Sequence, residues 1–323
     1  MFMRMVMLTL LQLVVDCASA ETSLTITSSS SSGSSGGGGG STVEIAPGVA
    51  MPFANLGGSD GAQSNYTFGL AAGFRGFDTA LSYTTGNVQP KLGAAIRHSS
   101  IARSDLFVTT KIPCWPAASK GFQHYYCDGH PRSGSNLTAT ADADINSTLA
   151  DIGIDYADLI LLHWPCETVE ATWATYKALE GALADGRARA VGISNFNASA
   201  IDALLSGTTV KPAFNQCGFS VGNHGSKESP AGKDDVTRAR CSALNITYGA
   251  YSPLNHGKAM KDEVVVQIAQ AHNVSSAVVA LRWLVQAGHT FTTASMSEQY
   301  DVEDLSALDM VLTPEEMARL NAL

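Results

Sequence analysis

The sequence predicts an α/β chain folded as a (β/α)8 TIM barrel over residues 43–323. Three observations carry that reading. Short, β-branched apolar runs alternate with helical stretches eight times, the pattern of a parallel sheet that closes on itself. One of these runs, Ala157–Trp164 (ADLILLHW), is apolar throughout, as a strand buried on both faces requires. No GxGxxG follows the first strand, which weighs against the doubly wound open sheet, the structural alternative.

Strands are expected near Pro52–Gly57, Gly76–Ala80, Leu106–Lys111, Ala157–Trp164, Ala188–Ser194, Ala213–Phe219, Thr247–Ser252 and Thr290–Thr293. Helices are read at Ala171–Asp185, Asp262–His272 and Ser275–Ala287, among others. About 45 residues separate Ile112 from Ala157, and from Pro113 to Asn136 they show no helical period. An irregular insertion of that length beside a barrel mouth is more often functional than incidental.

Residues 1–20 read as a cleavable signal peptide: Arg4, an apolar run, then Ala18-Ser19-Ala20, with cutting expected before Glu21. The run is too short to form a stable membrane span. Residues 21–42, almost wholly Ser, Thr and Gly, read as a flexible linker that cannot bury enough apolar surface to order itself. Asn-X-Ser/Thr sequons begin at Asn65, Asn136, Asn146, Asn197, Asn245 and Asn273, six of thirteen asparagines, where roughly two would arise by chance. Together these features predict a glycoprotein in the secretory pathway, secreted or lumenal. A net charge of −9 with no basic stripe excludes nucleic acid as a partner.

Four ionisable residues fall at or just beyond three consecutive strand ends, where barrels carry their reactive groups: Asp78, Tyr83, Lys111 and His163. Each alone has an ordinary explanation, such as a helix cap, a solvated strand end or a satisfied core histidine. Jointly they form a coherent set. A phenol of unperturbed pKa about 10 is a poor acid at neutral pH, and a nearby ammonium lowers that pKa. A carboxylate keeps the ammonium charged and fixed, and a neutral imidazole can donate to a substrate carbonyl.

These residues lie in Asp78-Thr79-Ala80-x-x-Tyr83, Thr109-Thr110-Lys111 and Leu162-His163-Trp164-Pro165. Gly192-Ile193-Ser194-Asn195-Phe196, Asn215-Gln216, Tyr251-Ser252-Pro253-Leu254 and Leu312-Thr313-Pro314-Glu315-Glu316-Met317 follow. In that order the segments resemble the successive signatures of the aldo-keto reductases. The resemblance implies reduction of aldehydes or ketones by a monomer using NADPH or NADH. It makes Tyr83 the general acid, Lys111 and Asp78 its tuning pair, and His163 the orienting donor. Ser194, Asn195 and Gln216 would hold the nicotinamide carboxamide, with Tyr251 on the ring. Ser252 and Leu254 would line the pyrophosphate path, Trp164 would wall the substrate pocket, and no metal is implied.

The eighth strand departs from the family. Thr293-Ala294-Ser295 and Tyr300 stand where relatives carry a Pro-Lys-Ser and a later basic residue, so Ser295 remains but both phosphate-clamping charges are missing. Glu303 and Asp304 resemble the family's adenine-contacting Glu-Asn, with an acid replacing the amide, and Gly218 replaces a glutamate. A barrel with weak or no turnover, serving as a cofactor-sensing or binding protein, is the alternative that these departures favour. In the insertion, Cys114, His124, Cys127 and His130 leave three readings open: a Cys114–Cys127 disulfide, a Cys2His2 zinc site, or free thiols.

Overall fold

The structure, a computed structural model, describes residues 41–58, 64–83, 87–114, 136–222 and 235–323. The apolar run of the sequence becomes β6 (Ala157–Leu162), buried at every residue. Its side chains alternate as a barrel strand demands. Leu159 and Leu161 pack with Phe107, Ala190 and Phe214, while Ile160 and Leu162 join the cluster that includes the helix residues Ile145, Leu149 and Leu179.

Eight parallel strands close the barrel. They are β3 (Ala54–Gly57), β4 (Gly76–Asp78), β5 (Phe107–Ile112), β6, β7 (Ala188–Ser194), β8 (Phe214–Gly218), β9 (Thr247–Tyr251) and β10 (Thr290–Thr293), with β10 hydrogen-bonded to both β3 and β9. All eight expected strands are present, with ends differing by a few residues at most. Gly192 in β7 has no room for a side chain: a Cβ there would lie 2.6 Å from the Phe214 carbonyl oxygen on the neighbouring strand.

One element was not anticipated. β1 (Thr42–Ala46) and β2 (Val49–Pro52) form an antiparallel hairpin before the barrel. Pro52 therefore ends the hairpin rather than opening the first barrel strand. Thr42 belongs to β1, so the hairpin begins inside the segment assigned to the linker. Ile45, Val49 and Met51 pack on Phe107, Leu159, Leu161 and Phe214, so the hairpin seals the end of the barrel opposite the reactive strand ends. Its short alternation sits directly against a Gly/Ser tract, which hides it from a periodicity reading.

Helices alternate with the strands, including α1 (Tyr66–Ala72), α2 (Val88–His98), α3 (Leu137–Ile152), α4 (Val169–Asp185), α5 (Ala198–Leu205) and α6 (Asp235–Ala243). After β9 come α7 (Glu263–His272) and α8 (Ser276–Gln286), and after β10 come α9 (Glu298–Ser306) and α10 (Pro314–Asn321). Among the described residues no single helix is long and apolar enough to cross a membrane.

The sequon asparagines acquire local roles here. Asn65, Asn136 and Asn197 are the N-caps of α1, α3 and α5, accepting from the backbone N–H of Phe68, Ala139 and Ala200. Asn245 and Asn273 adopt left-handed φ of 50° and 52°, a conformation in which asparagine is enriched. Five of the six therefore have a reason to be asparagine that does not depend on a glycan. In the long connection after β5, residues 115–135 lie outside the described residues, and α3 forms its second half.

Candidate active site

β4 ends on Asp78, β5 carries Lys111 as its penultimate residue, and His163 follows directly after β6. Because the three strands are adjacent and parallel, these ends converge on one rim of the barrel. Lys111 is buried; its ammonium donates to an Asp78 carboxylate oxygen and, at 3.1 Å, to the Thr79 carbonyl. The other Asp78 oxygen accepts from Gln216 Nε2 at 3.0 Å. Burial pulls the Lys111 pKa below the ordinary lysine value, and Asp78 opposes that shift.

The loop that carries Tyr83 is pinned to β5. Thr79 N–H donates to the Thr109 carbonyl and Leu81 N–H to the Lys111 carbonyl, both at 2.9 Å, before a tight turn joins Tyr83 N–H to the Ala80 carbonyl. Tyr83 stays half-buried. Its ring centroid lies 5.3 Å from the Lys111 ammonium and 5.6 Å from the His163 ring, which meets it edge-on. His163 is buried, and its pKa falls well below the ordinary value, first through burial and then through the Lys111 charge. The imidazole is therefore neutral at physiological pH.

Ser82 was not singled out in the sequence. Its buried hydroxyl lies 3.1 Å from His163 Nδ1 and fixes the ring from behind. Its place beside Tyr83 was the only available signal, and spacing alone does not reveal a contact across 81 residues. Trp164, expected to wall the pocket, is fully buried. It donates its indole N–H to the Cys114 carbonyl at 2.7 Å, and its ring lies against His163 with centroids 4.4 Å apart.

Ser194, Asn195, Gln216 and Tyr251 form one connected set across the ends of β7, β8 and β9. Ser194 Oγ donates to the Gln216 carbonyl at 2.8 Å. Asn195, at a left-handed φ of 64°, donates to the His163 carbonyl and accepts from Tyr251 OH, both at 2.9 Å. With the Gln216 amide nitrogen engaged by Asp78, its amide oxygen is the part left to accept from a ligand. Hydroxyl and amide groups of both polarities side by side suit a carboxamide, so the donor set fits a nicotinamide. Ser252 and Leu254 are half-buried in the turn after β9, where Ser252, Asn255 and His256 all adopt positive φ.

The end of β10 is built differently. Ser295 is buried and tied to the loop after β3: its N–H donates to Ser64 Oγ at 3.0 Å and its carbonyl accepts from Asn65 N–H at 2.9 Å. Ala294 and Tyr300 are exposed, and Glu303 is half-exposed on α9. Asp301 and Asp304 are buried on the same helix. Neither Asp301 oxygen makes a well-formed hydrogen bond, because the neighbouring Ser295 hydroxyl donates to the Ser297 carbonyl at 3.0 Å. Burial pushes the Asp301 carboxyl up to about 6, offset only in part by the Ser295 hydroxyl. It pushes Asp304 up to about 7, against a hydrogen bond from Thr293 and with the charges of Asp301 and Glu303 adding to the rise.

The cysteine pairing expected in the insertion is overturned. Cys114 is disulfide-bonded to Cys166, not to Cys127, with Cα atoms 5.2 Å apart and a sequence separation of 52. That bond also removes Cys114 from the zinc set; His124, Cys127 and His130 lie outside the described residues. Closing a loop of this length is worth roughly 4 kcal/mol in the chain-entropy model. Cys217 and Cys241 are buried and form no disulfide among the described residues. Among the described residues no cluster of three or more His, Cys, Asp or Glu could hold a metal ion.

Comparison with known proteins identifies the family. Residues 65–323 match the model of the aldo/keto reductase family. The chain is 32% identical to morphine 6-dehydrogenase of Pseudomonas putida, over 87% of this chain and 90% of that protein. It is 31% identical to glyoxal reductase of Bacillus subtilis, over 87% and 92%. Among solved structures, an aldo/keto reductase from Brucella melitensis superposes with a TM-score of 0.72 at 26% identity, covering 88% of this chain and 99% of that one. A Bombyx mori aldo-keto reductase in complex with NADP shares the fold, with a TM-score of 0.71 at 24% identity over 88% and 92%.

Proposed function

The chain belongs to the aldo-keto reductase family, and we propose that it reduces small aldehydes or ketones to alcohols with Tyr83 as the proton donor. The convergence of Lys111, Asp78 and His163 around the Tyr83 ring, beside a carboxamide-binding set, is the observation that carries this reading. Ser194, Asn195, Gln216 and Tyr251 would hold a reduced nicotinamide, which would supply the hydride. Neutral His163 orients the substrate carbonyl through a proton on Nε2, the tautomer in which the Ser82 hydroxyl, 3.1 Å from Nδ1, would donate to that nitrogen. Tyr83 then gives its phenolic proton to the carbonyl oxygen, and the Lys111 ammonium stabilises the phenolate left behind.

The fit of the residues weakens toward the far end of the cofactor. Ala294 and Tyr300 offer no cation to a 2′-phosphate, and the acids of α9 repel one. NADH is therefore accepted at least as readily as NADPH. Lys258 and Lys261, both exposed beyond β9, are the cations that could substitute. The Cys114–Cys166 disulfide, together with the signal-like N-terminus, supports residence in an oxidising secretory compartment.

The test is loss of reduced-nicotinamide absorbance with a panel of aldehydes and ketones, run beside cofactor titrations read by protein fluorescence. Turnover with any of these carbonyls is expected. Cofactor binding without carbonyl-dependent oxidation would instead favour the cofactor-sensing barrel.

A further inference from the structure

We propose that the Cys114–Cys166 disulfide is a positioning element for catalysis, holding the Trp164 indole and, through it, the His163 imidazole at the barrel rim. The proposal rests on the role given to His163 above. Cys114 lies two residues beyond the end of β5, and Cys166 lies four beyond the end of β6. The bond therefore ties together the two strand ends that present Lys111 and His163.

A chain of contacts runs from the sulfurs to the imidazole. The Cys114 carbonyl accepts the Trp164 N–H at 2.7 Å, and both residues are fully buried, so water cannot replace that acceptor. The Trp164 ring lies at 32° against His163, with 4.4 Å between centroids. On its far side His163 is held by Ser82, and its carbonyl by Asn195. Cys166 is anchored in turn to α4. Its N–H donates to Thr172 Oγ1 at 3.2 Å, and Thr175 Oγ1 lies 3.3 Å and 3.7 Å from the two sulfurs.

Bonded sulfurs sit about 2.0 Å apart. Without the bond the two strand-end loops are no longer tied together, and any drift of Cys114 carries with it the carbonyl that holds Trp164. Misplacement of about 1 Å near a reacting centre costs up to roughly a hundredfold in rate. The disulfide is itself buried, with Cys114 0% and Cys166 4% exposed, so it is a permanent lock rather than a switch.

The test is the full chain, expressed through a secretory route, carrying Cys114→Ala and Cys166→Ala with His163 either intact or changed to Ala. With His163 present, kcat should fall by at least about tenfold while cofactor affinity stays within about twofold. In the His163→Ala background the same pair of changes should cost less than about twofold, because the group they act through is gone. An equal loss in both backgrounds, or loss of thermal stability with kcat unchanged, would overturn the proposal. If the double variant does not fold, Cys166→Ser keeps the side-chain volume and is held to the same comparison. A wild-type chain that reduces no carbonyl would instead sink the proposed function. The disulfide's role is then judged on the nitrogen-15 NMR signals of His163, which must shift or broaden once the bond is removed; unchanged signals would overturn it.

Discussion

Two stretches of the same rim treat buried charge in opposite ways. Around β4, β5 and β6, the Asp78 carboxylate is held by Lys111 and Gln216, and the ammonium also reaches the Thr79 carbonyl. Around β10 and α9, Asp301 and Asp304 are buried with no cation beside them among the described residues, and both hold their protons above the ordinary carboxylate range. Burial penalises charge in both places, and the difference is the partner. A paired site keeps its ions fixed and ready to act, whereas an unpaired one neutralises as the pH falls. In family terms the first stretch is intact and the second is where this chain has diverged.

The largest expected effect comes from breaking the paired end. Lys111→Met leaves the Asp78 carboxylate buried beside an apolar chain, which should cost about 3–5 kcal/mol of stability as well as nearly all activity. Denaturant unfolding beside steady-state assays measures both. A variant as stable as the parent would mean that Gln216 alone satisfies Asp78.

Tyr83→Phe probes the same end without disturbing a charge. Carbonyl reduction should fall by at least about a hundredfold, or about 2.7 kcal/mol, with folding and cofactor affinity nearly unchanged. Retained turnover would remove Tyr83 from the mechanism.

At the unpaired end, Asp304→Asn should stabilise the protein. The Asp304 carboxyl holds its proton up to about pH 7 in the folded chain, whereas the unfolded chain releases it near 4. The folded state thus binds more protons in between, and wild-type stability declines as pH rises across that window. The gain from the amide should be absent below about pH 4, grow with pH, and level off above pH 7 at up to about 4 kcal/mol, about 1.4 kcal/mol for each pKa unit. Thermal melts of both proteins across pH measure it. A gap independent of pH would place the effect in packing instead.

The smallest expected effect is in cofactor choice. Dissociation constants at one ionic strength should show NADH bound at least as tightly as NADPH, with about tenfold, or 1.4 kcal/mol, in favour of NADPH as the limit. A stronger preference would show that Lys258 or Lys261 has rebuilt the clamp, and would erase the contrast between the two ends.

What the sequence determined by itself is the periodic part of the protein. Eight strands, their order, and the placing of Asp78, Lys111, His163, Ser194, Gln216 and Tyr251 at or next to strand ends were legible, because alternation and local motifs encode where a chain is buried and where it turns. The hairpin of β1 and β2 was not, since its reason lies in the barrel end it seals and not in its own few residues. The partners were not legible either. Ser82 meets His163 across 81 residues, Gln216 meets Asp78 across 138, and Cys114 pairs with Cys166 rather than with the nearer Cys127. Such contacts are fixed by which strands closure makes neighbours and by how far each loop reaches over the rim. Only the tertiary structure decides them, because residues distant in the chain exert no short-range force on one another until the barrel closes and brings them within a few ångströms.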